Sequence, residues 1–277
     1  MPADDRPTTV HFGLDLTYAC NYTCPYCTLP PVVKHRTPVE WEAAWKRMQA
    51  RHGECYIYMS GGEPSIAPGF FDIVKAIVPM HVVDLCTNLS WDVTKLVPAL
   101  PPDRFKISAT FHPTQVSFEE FLEKAVYVRD YLPQRFPPKR SVYFVAYPPQ
   151  MDRMEEYRRR LDENGLVLVP LPLMEGGADA PANTADEKKA IEAASPNRDT
   201  VDRKLAFQLQ ELRPSGRLCN AGHRYAMIRG DGKVDRCTRH EDRQLGDFFS
   251  PDFQLFTEPK VCMKEWCPFE SQWVVQA

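Results

Sequence analysis

The feature that most constrains the fold is an alternation of short apolar runs with helical patterns between residues 10 and 172. Each run is 6 to 8 residues long and rich in Val, Ile, Leu and aromatic residues, which is typical of buried strands. Strands that alternate with helices form right-handed βαβ units and hence a parallel sheet. The sequence therefore predicts an α/β fold, either a partial (β/α)6 barrel of the TIM type or an open doubly wound sheet. The predicted strands are Val10–Leu16, Cys55–Ser60, His81–Asn88, Phe105–His112, Ser141–Tyr147 and Leu166–Leu171.

The helices between these strands have clear start signals. Thr37-Pro38-Val39-Glu40 is a capping box with proline at the first helical position, and apolar residues then recur at helical spacing. Ser117 and Glu120 form a second capping box, and Asp152 is predicted to cap a further helix. In both candidate folds, functional residues lie at the carboxyl ends of the strands. Other helical patterns cover residues 68–78, 92–97, 186–194 and 199–212.

Bulk properties exclude several classes of function. The net charge of −3 gives no electrostatic argument for a nucleic-acid partner. The sequence has no apolar run of 18 residues and no signal peptide, so we expect no membrane span and a cytoplasmic location. Nine cysteines in a reducing compartment favour metal ligation or redox chemistry over disulfides.

Three of these cysteines lie close together directly after the first predicted strand. Cys20, Cys24 and Cys27 are spaced C-x3-C-x2-C and can hold three corners of a [4Fe–4S] cluster. The fourth iron is then open to a ligand. A zinc site completed by His35 is the alternative, although zinc sites prefer paired knuckles with a distant second pair.

This array resembles the motif of the radical S-adenosylmethionine (SAM) superfamily, including the aromatic Tyr26 before the last cysteine. Gly61-Gly62-Glu63-Pro64, one βα unit later, is similar to the GGEP-type run with which that family binds the methionyl amino group of SAM. Consecutive glycines permit close backbone approach, and a carboxylate suits an ammonium. Asn88 and Ser108 resemble further family positions that contact SAM.

The resemblance covers residues 10–172 and implies a mechanism. In the family, the reduced cluster donates one electron to SAM, which releases methionine and a 5′-deoxyadenosyl radical that abstracts a substrate hydrogen atom. Iron–sulfur potentials extend to about −700 mV. The resemblance therefore implies a strongly reducing electron donor such as flavodoxin or ferredoxin.

Beyond residue 172 the composition changes, and the chain becomes turn-rich and cysteine-bearing from Cys219 onward. Gly230-Asp231-Gly232 predicts a β-hairpin between Cys219 and Cys237. These two cysteines, with Cys262 and Cys267, resemble the SPASM/Twitch modules of radical SAM enzymes, which implies one auxiliary [4Fe–4S] cluster. The C-x4-C ending departs from the usual C-x2-C pair, and a structural zinc site with four cysteine ligands is the alternative.

We therefore predict an N-terminal tail (residues 1–9), a barrel with trailing helices (10–212) and a Twitch-like module (213–277). Two cysteines remain, Cys55 and Cys86. Both lie inside strand patterns and are assigned to the hydrophobic core.

Candidate substrate-contacting residues follow from position at the strand ends or near the cysteines. His112 ends the fourth strand, Tyr147 ends the fifth, and Glu175 follows the sixth, and these three are the candidate catalytic residues. Their alternative role is that of ordinary strand-end or loop residues. Lys34, His35, Arg36 and Arg229 are further candidates for contact with an anionic substrate.

The main hypothesis for function is a radical SAM oxidoreductase that acts on a small polar metabolite and passes an electron to the auxiliary cluster. A compact chain with one four-cysteine Twitch module most resembles the dehydrogenases of aminocyclitol biosynthesis. The alternative is a peptide-modifying radical SAM enzyme, such as a thioether former, epimerase or maturase. Such enzymes often carry an N-terminal leader-binding domain, and only nine residues precede the first strand here. We therefore expect the small-metabolite activity, although a leader-binding protein can also be a separate chain.

Overall fold

The computed structural model describes residues 9–29, 35–95, 100–101, 103–131, 141–174, 182–195, 205–238, 244–267 and 273–275. Among them, all six predicted strands are confirmed, each within one residue at either end. They pair in parallel in chain order, which makes one half-barrel of adjacent strands. The strands are β1 (His11–Thr17), β2 (Tyr56–Gly61), β3 (Val82–Thr87), β4 (Phe105–Phe111), β5 (Ser141–Ala146) and β6 (Val167–Pro172).

In the described part of the chain, these strands are connected or followed by the helices α1 (Pro38–His52), α2 (Phe70–Ile77), α3 (Phe118–Tyr131), α4 (Met154–Glu163) and α5 (Ala185–Ala194), and residues 205–208 are also helical. The capping box at α1 is confirmed, because the Glu40 N–H donates to the Thr37 hydroxyl and the Thr37 N–H donates to the Glu40 carboxylate. The predicted cap at Asp152 is wrong. Asp152 lies inside a 3₁₀ helix (Pro148–Arg153), and α4 begins only after it.

Alternation along the strands separates an apolar outer face from a polar inner face. On β1, Phe12 and Leu14 are fully buried against the helices, whereas Asp15 points to the other side of the sheet. Trp41 and Trp45 of α1 belong to the same core, and this burial drives the helices onto the sheet. The hydrophobic core therefore lies between sheet and helices, and polar side chains line the inside of the barrel.

The C-terminal region extends this sheet. Strands β8 (Tyr225–Ile228), β9 (Lys233–Asp235) and β10 (Gln244–Asp247) follow β1 in the sheet order, and β8 pairs with β1 in parallel. The predicted hairpin is confirmed as the antiparallel pair β8–β9. The main sheet thus has nine strands, and a separate pair is formed by β7 (Leu218–Cys219) and β11 (Lys260–Val261).

Side chains of α1 fasten the segment that follows β10. Phe248 contacts Phe12, Trp41 and Trp45 with ring centroids 4.7 to 6.0 Å apart, so it belongs to the barrel core. The Arg47 guanidinium donates to the carbonyls of Phe248 and Phe249 at 3.2 and 3.0 Å. The predicted boundary at residue 213 remains a prediction, but β8–β10 share both sheet and core with the barrel.

None of the helices in the described part of the chain combines the length and the apolar character that a membrane span requires.

Candidate active site at the carboxyl ends of the strands

The loop that follows β1 presents three free thiols at the mouth of the barrel. Cys20 and Cys27 are exposed and Cys24 is half-buried. A turn in which the Cys27 N–H donates to the Cys24 carbonyl at 3.0 Å keeps the last two cysteines close. The loop is held from the segment after β4 as well, because the Thr23 N–H donates to the side chain of Gln115 at 2.9 Å.

The Gly61–Glu63 backbone packs directly against this loop. The Gly62 N–H donates to the Thr17 carbonyl at 2.8 Å, and the Glu63 N–H donates to the Ala19 carbonyl at 2.9 Å. A Cβ at Gly62 would lie 2.1 Å from the Ala19 carbonyl oxygen, well inside van der Waals contact. Two successive glycines are therefore required for the close approach of β2 to the cysteine loop.

Glu63 is fully buried and connects the ends of β2 and β3. Its carboxylate accepts hydrogen bonds from the Thr87 hydroxyl at 2.9 Å, the Asn88 N–H at 2.8 Å and the Ser65 N–H at 3.1 Å. The Asn88 side chain in turn donates to Asn21 in the cysteine loop at 3.1 Å. Pro64 opens a 3₁₀ turn directly after Glu63. The expected contact of these residues with SAM stays a prediction, but they form one connected unit with the cysteine loop.

Three of the predicted residues meet beside the thiols. The Tyr26 hydroxyl lies 2.9 Å from Nδ1 of His112, and the Tyr26 ring lies 5.1 Å from that of Tyr147. His112 Nδ1 is also 3.6 Å from the Cys24 sulfur. Burial lowers the pKa of His112 to about 4, so the imidazole is neutral at pH 7. The sequence predicted each of these residues separately, and the fold places them in one cluster.

The inner wall of the barrel below this cluster carries a hydrogen-bonded network. The buried Asp84 carboxylate accepts from the Tyr56 hydroxyl at 2.6 Å and from the Ser108 hydroxyl at 2.7 Å. Burial raises the pKa of Asp84. The predicted role of Ser108 in contacting SAM remains untested, and its hydroxyl is engaged with Asp84. Asp84 and Tyr56 were missed in the sequence, although polar residues at alternate positions of an otherwise apolar strand are a usable signal.

Tyr58 marks an accessible space inside the barrel. Its side chain is 37% accessible, although Ile57 and Met59 on either side are fully buried against the helices. Burial nonetheless raises the pKa of the Tyr58 hydroxyl well above its usual value of 10. A side chain that is accessible and yet has a raised pKa borders an enclosed space, so Tyr58 faces the interior of the barrel.

The assignment of Cys86 to the core is wrong. Cys86 is half-buried on the same inner face, 3.6 Å from the Thr110 hydroxyl, because it lies at the opposite strand parity from the buried Leu85. Cys55 is fully buried, as predicted.

Two of the other candidate residues lie outside the described part of the chain, namely Glu175 and Lys34. Arg36 is described, and it forms an ion pair with Glu40 at 3.0 Å and stacks over the ring of Phe249. Its predicted role in binding an anionic substrate stays a prediction, and the structure gives it a role in joining α1 to the C-terminal region.

Comparison with known proteins adds a partial sequence match. The chain is 34% identical to a PqqA peptide cyclase of Methylorubrum populi over 91 residues, which are 32% of this chain and 23% of that protein. A PqqA peptide cyclase of Ruegeria pomeroyi is 29% identical over 96 residues, 34% of this chain and 25% of that protein. The chain thus spans about a quarter of these relatives. No protein-family model matches it.

The fold comparison covers nearly the whole chain. The structure of anSMEcpe with bound AdoMet superimposes with a TM-score of 0.63 at 12% identity, over 96% of this chain and 82% of that one. Streptococcus suis SuiB bound to S-adenosylmethionine gives a TM-score of 0.63 at 13% identity, over 88% and 64%. These superpositions show the fold, which is a partial (β/α)6 barrel of the kind found in anSMEcpe and SuiB, followed by a cysteine-rich C-terminal region.

The C-terminal region gathers its four thiols. Cys219, Cys237, Cys262 and Cys267 are all buried, with exposures of 4, 7, 7 and 8%. They share one apolar cluster with Phe207, Trp273 and Val274, separate from the main core. The donor set therefore fits an iron–sulfur or metal group, since four thiols from distant parts of the chain are buried together with few other polar groups.

Among the described residues, no three His, Cys, Asp or Glu side chains are grouped closely enough to hold one metal ion. A four-iron cluster binds each thiolate at a different iron, so its ligands are spaced more widely. The donor chemistry of both sets suits such a cluster, and the ligand roles of the seven cysteines remain proposals.

Arg236 organises the region around the four thiols and was missed in the sequence. It is fully buried, and its guanidinium donates to the carbonyls of Ala221 at 2.8 Å, Val261 at 3.0 Å and Lys260 at 2.5 Å. These three bonds tie the Ala221 carbonyl to the two carbonyls of β11, in addition to the pairing of β11 with β7. They thereby fix the segments that carry Cys219, Cys237 and Cys262 relative to one another.

A second charged group lies between β1 and the hairpin. Arg229 contacts Asp235 at 2.7 Å and Asp15 at 3.8 Å, and Ser60 donates to Asp15 at 3.2 Å. Burial raises the pKa of Asp15 to about 6, against the opposing effect of Arg229. Arg229 was predicted to contact an anionic substrate, which remains a prediction, and the structure places it in this ion-pair network.

Proposed function

We propose that this chain binds SAM and a [4Fe–4S] cluster at Cys20, Cys24 and Cys27 and modifies a peptide by radical chemistry. The observation that carries the proposal is the 34% identity to a PqqA peptide cyclase. SuiB, whose fold this chain shares, has been determined with its precursor peptide SuiA bound, and this supports a peptide substrate. The proposal replaces the small-metabolite hypothesis as the leading one.

The residues at the strand ends account for the first step. Three thiols on one loop leave the fourth coordination position open to a ligand. When bound, the cluster would supply the electron that cleaves SAM into methionine and a radical able to take a hydrogen atom from the substrate. The Gly62 and Glu63 N–H groups hold the loop to β2, and Glu63 and Asn88 hold it to β3. These contacts fix the three sulfurs relative to the barrel mouth before any ligand binds.

The aromatic group beside the thiols shapes the entrance to the barrel. Tyr26 is held against His112 by a hydrogen bond and against Tyr147 by ring contact. Both partners lie at the ends of neighbouring strands, so this wall faces whatever enters the barrel. We propose that His112 and Tyr147 contact the substrate.

The four buried thiols of the C-terminal region would hold one auxiliary cluster. Four protein ligands leave no open iron, so such a cluster suits electron transfer rather than substrate binding. Net oxidation of a substrate radical requires an electron acceptor of this kind. A structural zinc ion is the alternative, and metal analysis separates the two.

The inner wall of the barrel favours a second candidate, oxidation of a small polar metabolite such as an amino sugar or cyclitol. Hydroxyl and carboxylate groups of Tyr56, Tyr58, Asp84 and Ser108 line this wall, and Tyr58 is accessible there. Such groups can hydrogen-bond the several hydroxyls of a polyol. A peptide side chain entering the barrel would meet the same groups, so the assay must include both substrate classes.

The test is SAM cleavage after anaerobic reconstitution. Dithionite and SAM should yield 5′-deoxyadenosine, and Cys20→Ala, Cys24→Ala or Cys27→Ala should abolish it. Cys55→Ala is the matched control, because this cysteine lies in the core away from both thiol sets. About eight iron and eight sulfide per chain would support two clusters. Failure of wild-type cleavage with iron in place would refute the proposal.

Substrate class is tested in the same reaction. Candidate precursor peptides and candidate aminocyclitols are added separately, and products are analysed by mass spectrometry. A peptide product of altered mass supports the leading proposal. Turnover of an aminocyclitol with no change in any peptide supports the second candidate instead.

A further inference from the structure

The small β7–β11 pair has an exposed apolar face. Leu218, Val261 and Met263 are 49, 44 and 63% exposed, and they are three of the seven large exposed apolar residues in the described part of the chain. Leu218 and Val261 are direct cross-strand partners, and Met263 follows two residues after Val261. We call these three residues the β7–β11 apolar face. Clustering of this kind marks an interaction surface more often than scattered exposure does.

The opposite side of the same two strands carries thiols. Cys219 is the cross-strand partner of Lys260 and is 4% exposed, and Cys262 is 7% exposed. Because successive side chains of a strand point to opposite sides, these sulfurs lie on the other side of the two strands from the apolar face, and only the strand backbone separates the two. A redox group held by these thiols would therefore lie on the far side of the strand layer that carries this face.

The charges around the apolar face are mainly positive. The two segments that form it, residues 213–219 and 258–265, contain four basic residues and two acidic ones, in a chain of net charge −3. The acidic residues Glu258 and Glu265 are both paired, with Lys260 and Arg213. No ion pair within the described residues involves Arg217 or Lys264. The surface therefore combines an apolar centre with a positive rim.

We propose that the β7–β11 apolar face docks an acidic one-electron carrier protein, which delivers reducing equivalents to the iron–sulfur centre behind it. In this step the carrier loses one electron and the iron–sulfur centre gains it, with no bond formed or broken. The centre would then pass this electron to the cluster at Cys20, Cys24 and Cys27, and would be oxidised again before a substrate radical forms. The inference rests on the proposed function, since it requires a redox group at the four buried thiols. Opposite charges steer such short-lived complexes, whose interfaces are small.

The charge distribution favours this occupant over a second copy of the chain. A symmetric dimer through this face would bring the same basic residues into opposition, and like charges across an interface are unfavourable. An acidic partner instead neutralises Arg217 and Lys264.

The test measures binding and electron delivery separately. Oxidised flavodoxin and oxidised ferredoxin are titrated by biolayer interferometry onto the reconstituted full-length chain at low and high salt. Val261→Glu and Met263→Glu should weaken binding at least about tenfold, which corresponds to about 1.4 kcal/mol. Val39→Glu is the matched control, because Val39 is 73% exposed on α1 and lies outside the β7–β11 pair. Wild-type binding should weaken as salt increases.

The kinetic readout is the rate of 5′-deoxyadenosine formation with the reduced carrier, divided by the rate with dithionite, which needs no docking surface. This ratio should fall about tenfold in the two variants and stay at the wild-type value in Val39→Glu. Unchanged carrier binding in Val261→Glu and Met263→Glu would overturn the inference. Two other results would also overturn the inference. One is a wild-type dimer in light scattering that these substitutions abolish, and the other is a loss of peptide binding in the variants without a loss of carrier binding. If dithionite itself yields no 5′-deoxyadenosine, the proposed function fails, while the binding result still decides the docking question.

Discussion

Replacing Gly62 by alanine should disable the cysteine loop with little change elsewhere. The added Cβ would lie 2.1 Å from the Ala19 carbonyl oxygen and 2.6 Å from its carbon. Real contacts of this kind are at least about 3 Å, so the two backbones must separate by about 1 Å. Neither atom belongs to a flexible side chain that can rotate away. The substitution therefore displaces the segment that leads into Cys20.

The magnitude follows from what this displacement breaks. Overpacking costs about 1–3 kcal/mol, and the hydrogen bonds from Gly62 to Thr17 and from Glu63 to Ala19 contribute about 1 kcal/mol each. We expect a loss of about 3 kcal/mol, or a thermal midpoint lower by about 6–12 °C for a chain of this size. A 1 Å error in position can reduce a rate about 100-fold, so SAM cleavage should fall by about that factor.

The assay compares Gly62→Ala with Gly53→Ala. Gly53 has φ +71° and ψ −151°, and no atom lies within 4 Å of a Cβ added there, so alanine at this position introduces backbone strain without a clash. It follows α1 at the opposite end of β2 from the cysteine loop. We expect both variants to be destabilised, but only Gly62→Ala should lose bound iron at the cysteine loop and SAM cleavage. Equal iron content and equal cleavage in the two variants would refute the argument that Gly62 positions the loop.

Three further predictions concern buried polar groups. Arg236→Met should lower the free energy of unfolding by about 3 kcal/mol, because three backbone carbonyls lose a fully buried charged donor, and an unchanged urea midpoint would contradict this. Glu63→Gln should lower the free energy of unfolding by about 2 kcal/mol, because its amide N–H₂ would face the Thr87 hydroxyl or the Asn88 N–H, which donate to the carboxylate. Thermal melting measures this loss, with Glu63→Asp as the comparison. Burial raises the pKa of Asp15 from 3.8 to about 6. At a pH between these two values, the Asp15 carboxyl is therefore protonated in the folded chain and ionised in the unfolded chain. The free energy of unfolding should therefore fall by about 3 kcal/mol as pH rises from about 4 to about 6, and Asp15→Asn should remove this slope in urea titrations.

Local patterns were sufficient for much of the barrel. Residues such as Thr37 and Trp41 specify a helix through contacts within a few positions in the chain, and the strand runs reflect burial on both faces. The motif around Cys20 and the Gly61–Glu63 run were found because each is short and continuous. Their functional grouping with His112 and Tyr147 followed from the rule that parallel strands end at the same edge.

Long-range pairing could not be predicted in the same way. The pairing of Tyr225 with His11 joins positions more than 200 residues apart, and neither run shows which strand it will meet. The orientation of Cys86 depends on the parity of β3 relative to the barrel, and a cysteine, which packs as a small hydrophobe, does not itself reveal which face it occupies. Arg236 looks like a surface cation, because only the folded chain shows that three carbonyls surround it.

These long-range features connect the cysteine loop with Cys237, one of the four C-terminal thiols, through one continuous sheet. β1 carries Asp15, five residues before Cys20, and β9 ends at Asp235, two residues before Cys237. Arg229 contacts both carboxylates, so a single ion-pair network lies between the strands that lead to the two sites. Because strands in one sheet are held by backbone hydrogen bonds and a shared core, the separation between the sites is fixed by the fold rather than by a flexible linker. A fixed separation is what electron transfer between two iron–sulfur centres requires, and this sheet would provide it.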